Sequence, residues 1–164
     1  YGDHRDLHSF PTRRSSDLVI LRGLGYFAHA ARRLHRQCVA AALSSARDRS
    51  GAYNQTLKVA ELAVKRDSFA YLLDVTKWAL KNLEREKAKL LAEVYVRRKP
   101  KGEVAARYNV SLPTLYRRLA QARDSFSKKL QEAGCTEQWF SETYGCCPFV
   151  QKLLLRENGS RIEE

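Results

Sequence analysis

Methionine is absent from the 164 residues, so the chain as given carries no initiator. Glycine and proline are scarce, at eight and four, and helix-forming residues dominate between them, which makes 3.6 rather than 2 the hydrophobic period to look for. The four cysteines, Cys38, Cys135, Cys146 and Cys147, lack both the C-x-x-C spacing of a zinc site and the density of a disulfide scaffold. They point to reduced thiols in a cytosol. No apolar run approaches the roughly 20 residues that span a bilayer, so the chain is expected to be soluble and cytoplasmic, with no membrane partner. His29 and His35 lie six apart on one expected helix and do not share a face, so no metal site is expected there. A glycine-rich phosphate loop is missing, as is any acid pair with a credible site. The expectation is a protein that is not an enzyme and has no cofactor.

The first residues that are present need separate treatment. "YGDHRDLHSFPTRRSSDL", Tyr1 to Leu18, resembles the in-frame translation of a widely used sequencing adapter, codon for codon. It is set aside as an artefact outside the fold, expected to be disordered or unrelated to it, so that a chain starting at Val19 would be as stable. A read enters a gene at an arbitrary point, so Val19 need not lie near the true start and an upstream domain is not excluded. Residues 19–164 are enough for one domain or two small ones.

Acidic residues are the other shortage: 18 against 30 lysines and arginines, a net charge of +12. The set-aside segment contributes nothing to it, because Arg5, Arg13 and Arg14 balance Asp3, Asp6 and Asp17. Arg97, Arg98, Lys99, Lys101, Arg107, Arg117, Arg118, Arg123, Lys128 and Lys129 meet only Glu103 and Asp124, a local excess of +8. Charge concentrated in this way favours a polyanionic partner, nucleic acid or an anionic surface, over a merely solvated face.

An all-α fold follows from the pattern. Leu24, Phe27, Ala28, Ala31, Leu34, Cys38, Ala41 and Ala42 make one helical stripe, with Arg32, Arg33 and Arg36 opposite and a loop in "SSARDRSGAYNQ". A second helical region begins near Thr56. Leu57, Ala60, Val64, Tyr71, Leu72, Val75, Trp78 and Ala79 carry it to Asn82, with a possible break and new N-cap at Asp67-Ser68. Asn82 itself reads as the cap of a third helix, which has Glu84 and Glu86 in its first turn and Leu83, Lys87, Leu90, Leu91, Val94 and Arg98 on one side. That helix stops before Pro100. Gly134 reads as a later terminator, followed by a tail in which Trp139, Phe140, Tyr144, Phe149, Leu153 and Leu154 suit two short helices packed back on the bundle. The final "ENGSRIEE" is expected to fray. The segments are therefore 19–82, an N-terminal helical region; 83–132, a candidate DNA-binding unit; and 133–164, a helical tail.

The stretch "GEVAARYNVSLPTLYRRLAQARDSFSKKL" divides into a short helix, a tight turn and a longer helix. Ala105 is small where crossing helices approach closely. Val104 and Val110 are apolar where the turn tucks inward, and Asn109 tolerates the left-handed conformation that reverses the chain. Ser111 is a good N-cap, expected to accept from the N–H of Thr114, and Pro113 falls in the first turn, where a missing N–H matters least. Leu115, Leu119, Ala122, Phe126 and Leu130 form the inward stripe. Pro113, Tyr116, Arg117 and Gln121 then point outward, with Thr114 and Arg118 flanking, where a recognition helix meets base edges; Lys99, Lys101 and Arg107 are candidates to hold phosphates. Two core helices with a tidy turn would explain the apolar positions equally well, but not the arginines.

"LEREKAKLLAEVYVRRKPKGEVAARYNVSLPTLYRRLAQARDSFSKKL", Leu83 to Leu130, resembles region 4 of sigma-70-type factors. In that family a four-helix module reads the −35 promoter element and docks on RNA polymerase. With helices ahead of the module, the chain is more specifically similar to short sigma-like regulators of Firmicute phages and prophages. The resemblance implies a transcription regulator whose partners are double-stranded DNA and RNA polymerase, the latter meeting the helix Glu84 to Arg97, with Glu84, Glu86 and Glu93 as its acidic positions, and the N-terminal helices. The chain departs from the family at Leu112 and Pro113, where an Arg-Glu type pair is common. Base reading then falls to Tyr116, to Arg117 on guanine O6/N7, and to Leu112 on a thymine methyl. "TLYRRL" also resembles the DNA-binding end of serine recombinases and some transposases, and a small terminase-like packaging protein and a purely helical interaction module remain alternatives.

Overall fold

In a computed structural model, residues 15–45 and 52–159 are described, and all their regular structure is helical. The elements are α1 (Ser15–Ser45), α2 (Ala52–Lys81), α3 (Arg85–Leu91), a π-helical turn (Ala92–Val96), α4 (Lys101–Arg107), α5 (Leu112–Glu132), α6 (Glu137–Tyr144) and α7 (Pro148–Gly159). The all-α expectation holds. Residues 1–14, 46–51 and 160–164 lie outside the described set, and with them most of the set-aside segment, the middle of the expected loop and the end of the tail.

Helix α1 begins inside the segment set aside, with Ser16, Asp17 and Leu18 buried. The boundary at Val19 is therefore one of sequence, not of structure. Asp17, in the first turn, is favoured there by the helix dipole. Leu18 continues the buried run Val19, Ile20 and Leu21.

Helices α1 and α2 pair as a long hairpin. Burial is confined to its base, Ser16 to Phe27 on α1 and Leu72 to Ala79 on α2; no described residue between Ala28 and Tyr71 is buried. The stripe expected along α2 is thus only partly used. Leu72, Val75 and Ala79 face the core, whereas Leu57, Val64, Tyr71 and Trp78 stay exposed. A helix that meets one partner along its outer half covers only a narrow strip.

The expected break at Asp67-Ser68 does not occur, and α2 runs through it. The Ser68 hydroxyl donates to the Tyr144 hydroxyl at 3.1 Å, and Asp67 accepts from Arg66 Nε at 2.8 Å, so neither side chain acts as a cap. Asn82 likewise closes the helix before it rather than opening the next: its Nδ2 donates to the Trp78 carbonyl at 2.8 Å, and the α3 N-cap is Glu84.

The tail folds back as its aromatics require. Tyr26 stacks on Phe149 with centroids 3.7 Å apart, Phe27 stacks on Phe69, and Tyr144 meets Phe69, Trp139 and Phe140. Burial pushes the Tyr144 hydroxyl above its ordinary value, with the Ser68 bond opposing it. Helix α7 packs on α1 and stays regular to Gly159, further than the expected fraying. Buried residues from all three sequence segments form one cluster. The four cysteines are free thiols, and burial raises that of Cys135.

Candidate nucleic-acid interface

The geometry of α4, its turn and α5 follows from the local chemistry of a few residues. Val104 and Ala105 are buried, and the chain reverses through Asn109, which sits at φ 55° in the left-handed region. The Val110 N–H then donates to the Ala105 carbonyl at 3.0 Å, closing the turn. Ser111 caps α5 as expected: its hydroxyl accepts from the Thr114 N–H at 3.4 Å and lies 2.9 Å from the Thr114 hydroxyl. Pro113 occupies the first turn, and Gly134, at φ 79°, lies just beyond the end.

Leu115, Leu119, Ala122, Phe126 and Leu130 are all buried, which fixes the rotation of α5. Its opposite face near the N-terminus holds Leu112, Pro113, Tyr116, Arg117, Arg118 and Gln121, all exposed, with Ser111 beside them and Thr114 half-buried. The sequence-expected base readers are thus brought to one surface. Lys101 joins them, its Nζ lying 4.7 Å from the Tyr116 ring centroid, a cation–π contact that orients both side chains.

The other two expected phosphate holders are turned elsewhere. Arg107 bridges Glu93 and Glu103, with both N···O distances 3.1 Å, and Lys99 lies 4.0 Å from Glu93. Glu93 is their common focus, its side chain only 4% exposed. This corrects the placement of Glu93 beside Glu84 and Glu86 on an exposed docking face. Glu93 falls three residues after the buried Leu90, on the same side of the helix, and lies in the π turn, where the Arg97 N–H donates to the Ala92 carbonyl and that of Lys99 to the Glu93 carbonyl and Glu93, Val94 and Tyr95 are all buried. Glu93 Oε2 and the Tyr108 hydroxyl are buried with no protein hydrogen-bond partner. Burial first, and then the Glu93 charge, push the Tyr108 hydroxyl above its ordinary value.

Two features here gave no sequence signal. Arg98, expected to continue the α3 stripe, lies past the helix at φ 55°, and its guanidinium donates to the Arg22 carbonyl at 3.3 Å. Arg22 in turn sits 5.8 Å from the Tyr95 ring centroid. Among the described residues, no group of three or more potential metal ligands is found, and no helix is long and apolar enough to cross a membrane. Compared with protein-family models, curated proteins and solved structures, the chain gives no match.

Proposed function

We propose that residues 83–132 bind duplex DNA sequence-specifically through a helix-turn-helix, with α5 as the recognition helix in the major groove. One observation carries the reading: the N-terminal half of α5 turns Leu112, Pro113, Tyr116, Arg117 and Gln121 to solvent while its other face is wholly engaged in the core. A helix held this rigidly can place side chains against base edges, and the local +8 supplies the attraction to phosphate. The similarity to sigma region 4 extends the proposal to transcription regulation with RNA polymerase, in a phage or prophage setting. The exposed Glu84 and Glu86 remain acidic positions for that contact.

The test separates a base reader from a phosphate holder. On a duplex obtained by random-sequence selection, Arg117→Ala is expected to weaken binding by ~1–3 kcal/mol and to relax preference at one base position. Lys101→Ala should weaken all duplexes alike. Equal losses on selected and random DNA for Arg117→Ala would remove Arg117 from its assigned role. For the polymerase contact, recovery of polymerase subunits with the chain should fall on charge reversal at Glu84 and Glu86.

A further inference from the structure

A cavity of about 370 Å³ opens where α1, the segment after the π turn, and α7 meet. Five cations border it: Arg22 from α1, Arg98, Lys99 and Lys101 from the approach to α4, and Arg156 from α7. No carboxylate is among its described lining residues, although Lys99 leans toward Glu93 behind it. Val94 and Leu153 give it an apolar floor against which the long basic side chains can lie.

The backbone here is shaped to present charge. The left-handed Arg98 comes two residues after the π turn ends at Val96, and both kinds of irregularity are unfavourable unless the surroundings impose them. Their joint effect is to carry Arg98 across to the Arg22 carbonyl. That contact fixes the guanidinium through one nitrogen without cancelling its charge, and the guanidinium has further N–H donors for an acceptor. Lys101 is similarly held by a ring, that of Tyr116, rather than by an acid. Arg98 and Lys101, each held by a group that leaves its charge intact, thus present two positive charges to one concavity and attract an anion into it.

We propose that this cavity takes a backbone phosphate of the same duplex that α5 reads, making α1 and α7 part of the DNA-binding surface. The proposal rests on the helix-turn-helix reading. Continuity argues for DNA as the source of the phosphate: Lys101 borders the cavity and also touches Tyr116 on the outward face of α5. A duplex lying along that face runs on toward the cavity. Arg22 and Arg156 are far from residues 83–132 in sequence, and only the folding back of the tail brings Arg156 to the site.

The test uses the full chain and a duplex obtained by selection. The slope of log affinity against log salt is expected to become shallower by about 0.9 in Arg98→Gln or Arg156→Gln if each loses one phosphate contact, with base preference unchanged. Arg36→Gln, which removes one charge from the exposed face of α1, should leave the slope as it is. Neutral methylphosphonate substitutions along the duplex provide a second reading that does not depend on variant stability. One or two flanking positions should weaken the unaltered protein and have little effect on Arg98→Gln.

Unchanged slopes in both variants, with binding still dependent on salt and on Arg117, would overturn the cavity proposal and leave the recognition helix standing. Thermal stabilisation of the DNA-free chain by inorganic pyrophosphate, lost in Arg98→Gln while the DNA slope is kept, would reassign the cavity to a small phosphate compound. A chain with no salt-dependent duplex binding at all would remove the helix-turn-helix reading and this proposal with it.

Discussion

Glu93→Lys is expected to destabilise the protein by at least about 3–5 kcal/mol, the range for breaking a buried ion pair by removing one partner. The wild-type carboxylate accepts from Arg107 at 3.1 Å and has Lys99 at 4.0 Å, while its own side chain is nearly sealed from water. A lysine there loses both attractions and faces two cations. Since whole domains are stable by only about 5–15 kcal/mol, this destabilisation is a large share of the total. Glu93→Gln, which keeps the shape and one acceptor, should be less damaging. By contrast, Glu84→Lys and Glu86→Lys are exposed changes expected to stay within about 0.5 kcal/mol. Denaturant titration distinguishes these cases. A midpoint for Glu93→Lys close to that of the unaltered protein would mean that Glu93 is not the buried focus of the π turn. Of the three acidic positions, Glu84 and Glu86 are therefore the ones to test the proposed polymerase contact, because a loss on reversing Glu93 is confounded with its destabilisation.

Phe27→Ala is the second large effect, at roughly 3–5 kcal/mol. Phe27 is completely buried and meets Phe69, Tyr144 and Phe149, so one ring joins both arms of the hairpin to both tail helices. Packing is close enough that a Cβ at Gly23 would lie 2.7 Å from the Phe27 ring, which explains a glycine inside a long helix. Truncation should loosen α6 and α7 before the rest, read as faster proteolysis within residues 137–159 and a weaker near-ultraviolet aromatic signal. A small loss of stability with an intact tail would show that the tail packs without this ring.

These two residues also mark how far the sequence could be read. Phe27 stood out because its neighbours recur at helical spacing, as did the inward stripe of α5. Asn109, Ser111 and Pro113 were legible for a related reason: each acts on its own backbone or one within a few residues. Glu93 was not. Its place three residues after Leu90 sets it beside the buried stripe, but the Arg107 and Lys99 that make a buried carboxylate tolerable reach it only through the fold. Ser68 and Asn82 misled for a similar reason, since residues that suit an N-cap can equally bond a tyrosine hydroxyl or the preceding turn. Arg22, Arg98 and Arg156 were unreadable as a group, because their meeting depends on tertiary packing between opposite ends of the chain.

Sequence-specific binding by α5 is measured most directly as the affinity of the full chain for a duplex recovered by random-sequence selection, followed over a range of salt concentrations. One sequence motif should be enriched, and log affinity should fall linearly with log salt, by about 0.9 for each phosphate neutralised. If Arg117, Lys101 and the cavity all contribute, several phosphates are involved and the slope is steep. No enrichment of any motif, or affinity indifferent to salt, would contradict such binding and leave α4 and α5 as two core helices joined by a well-made turn.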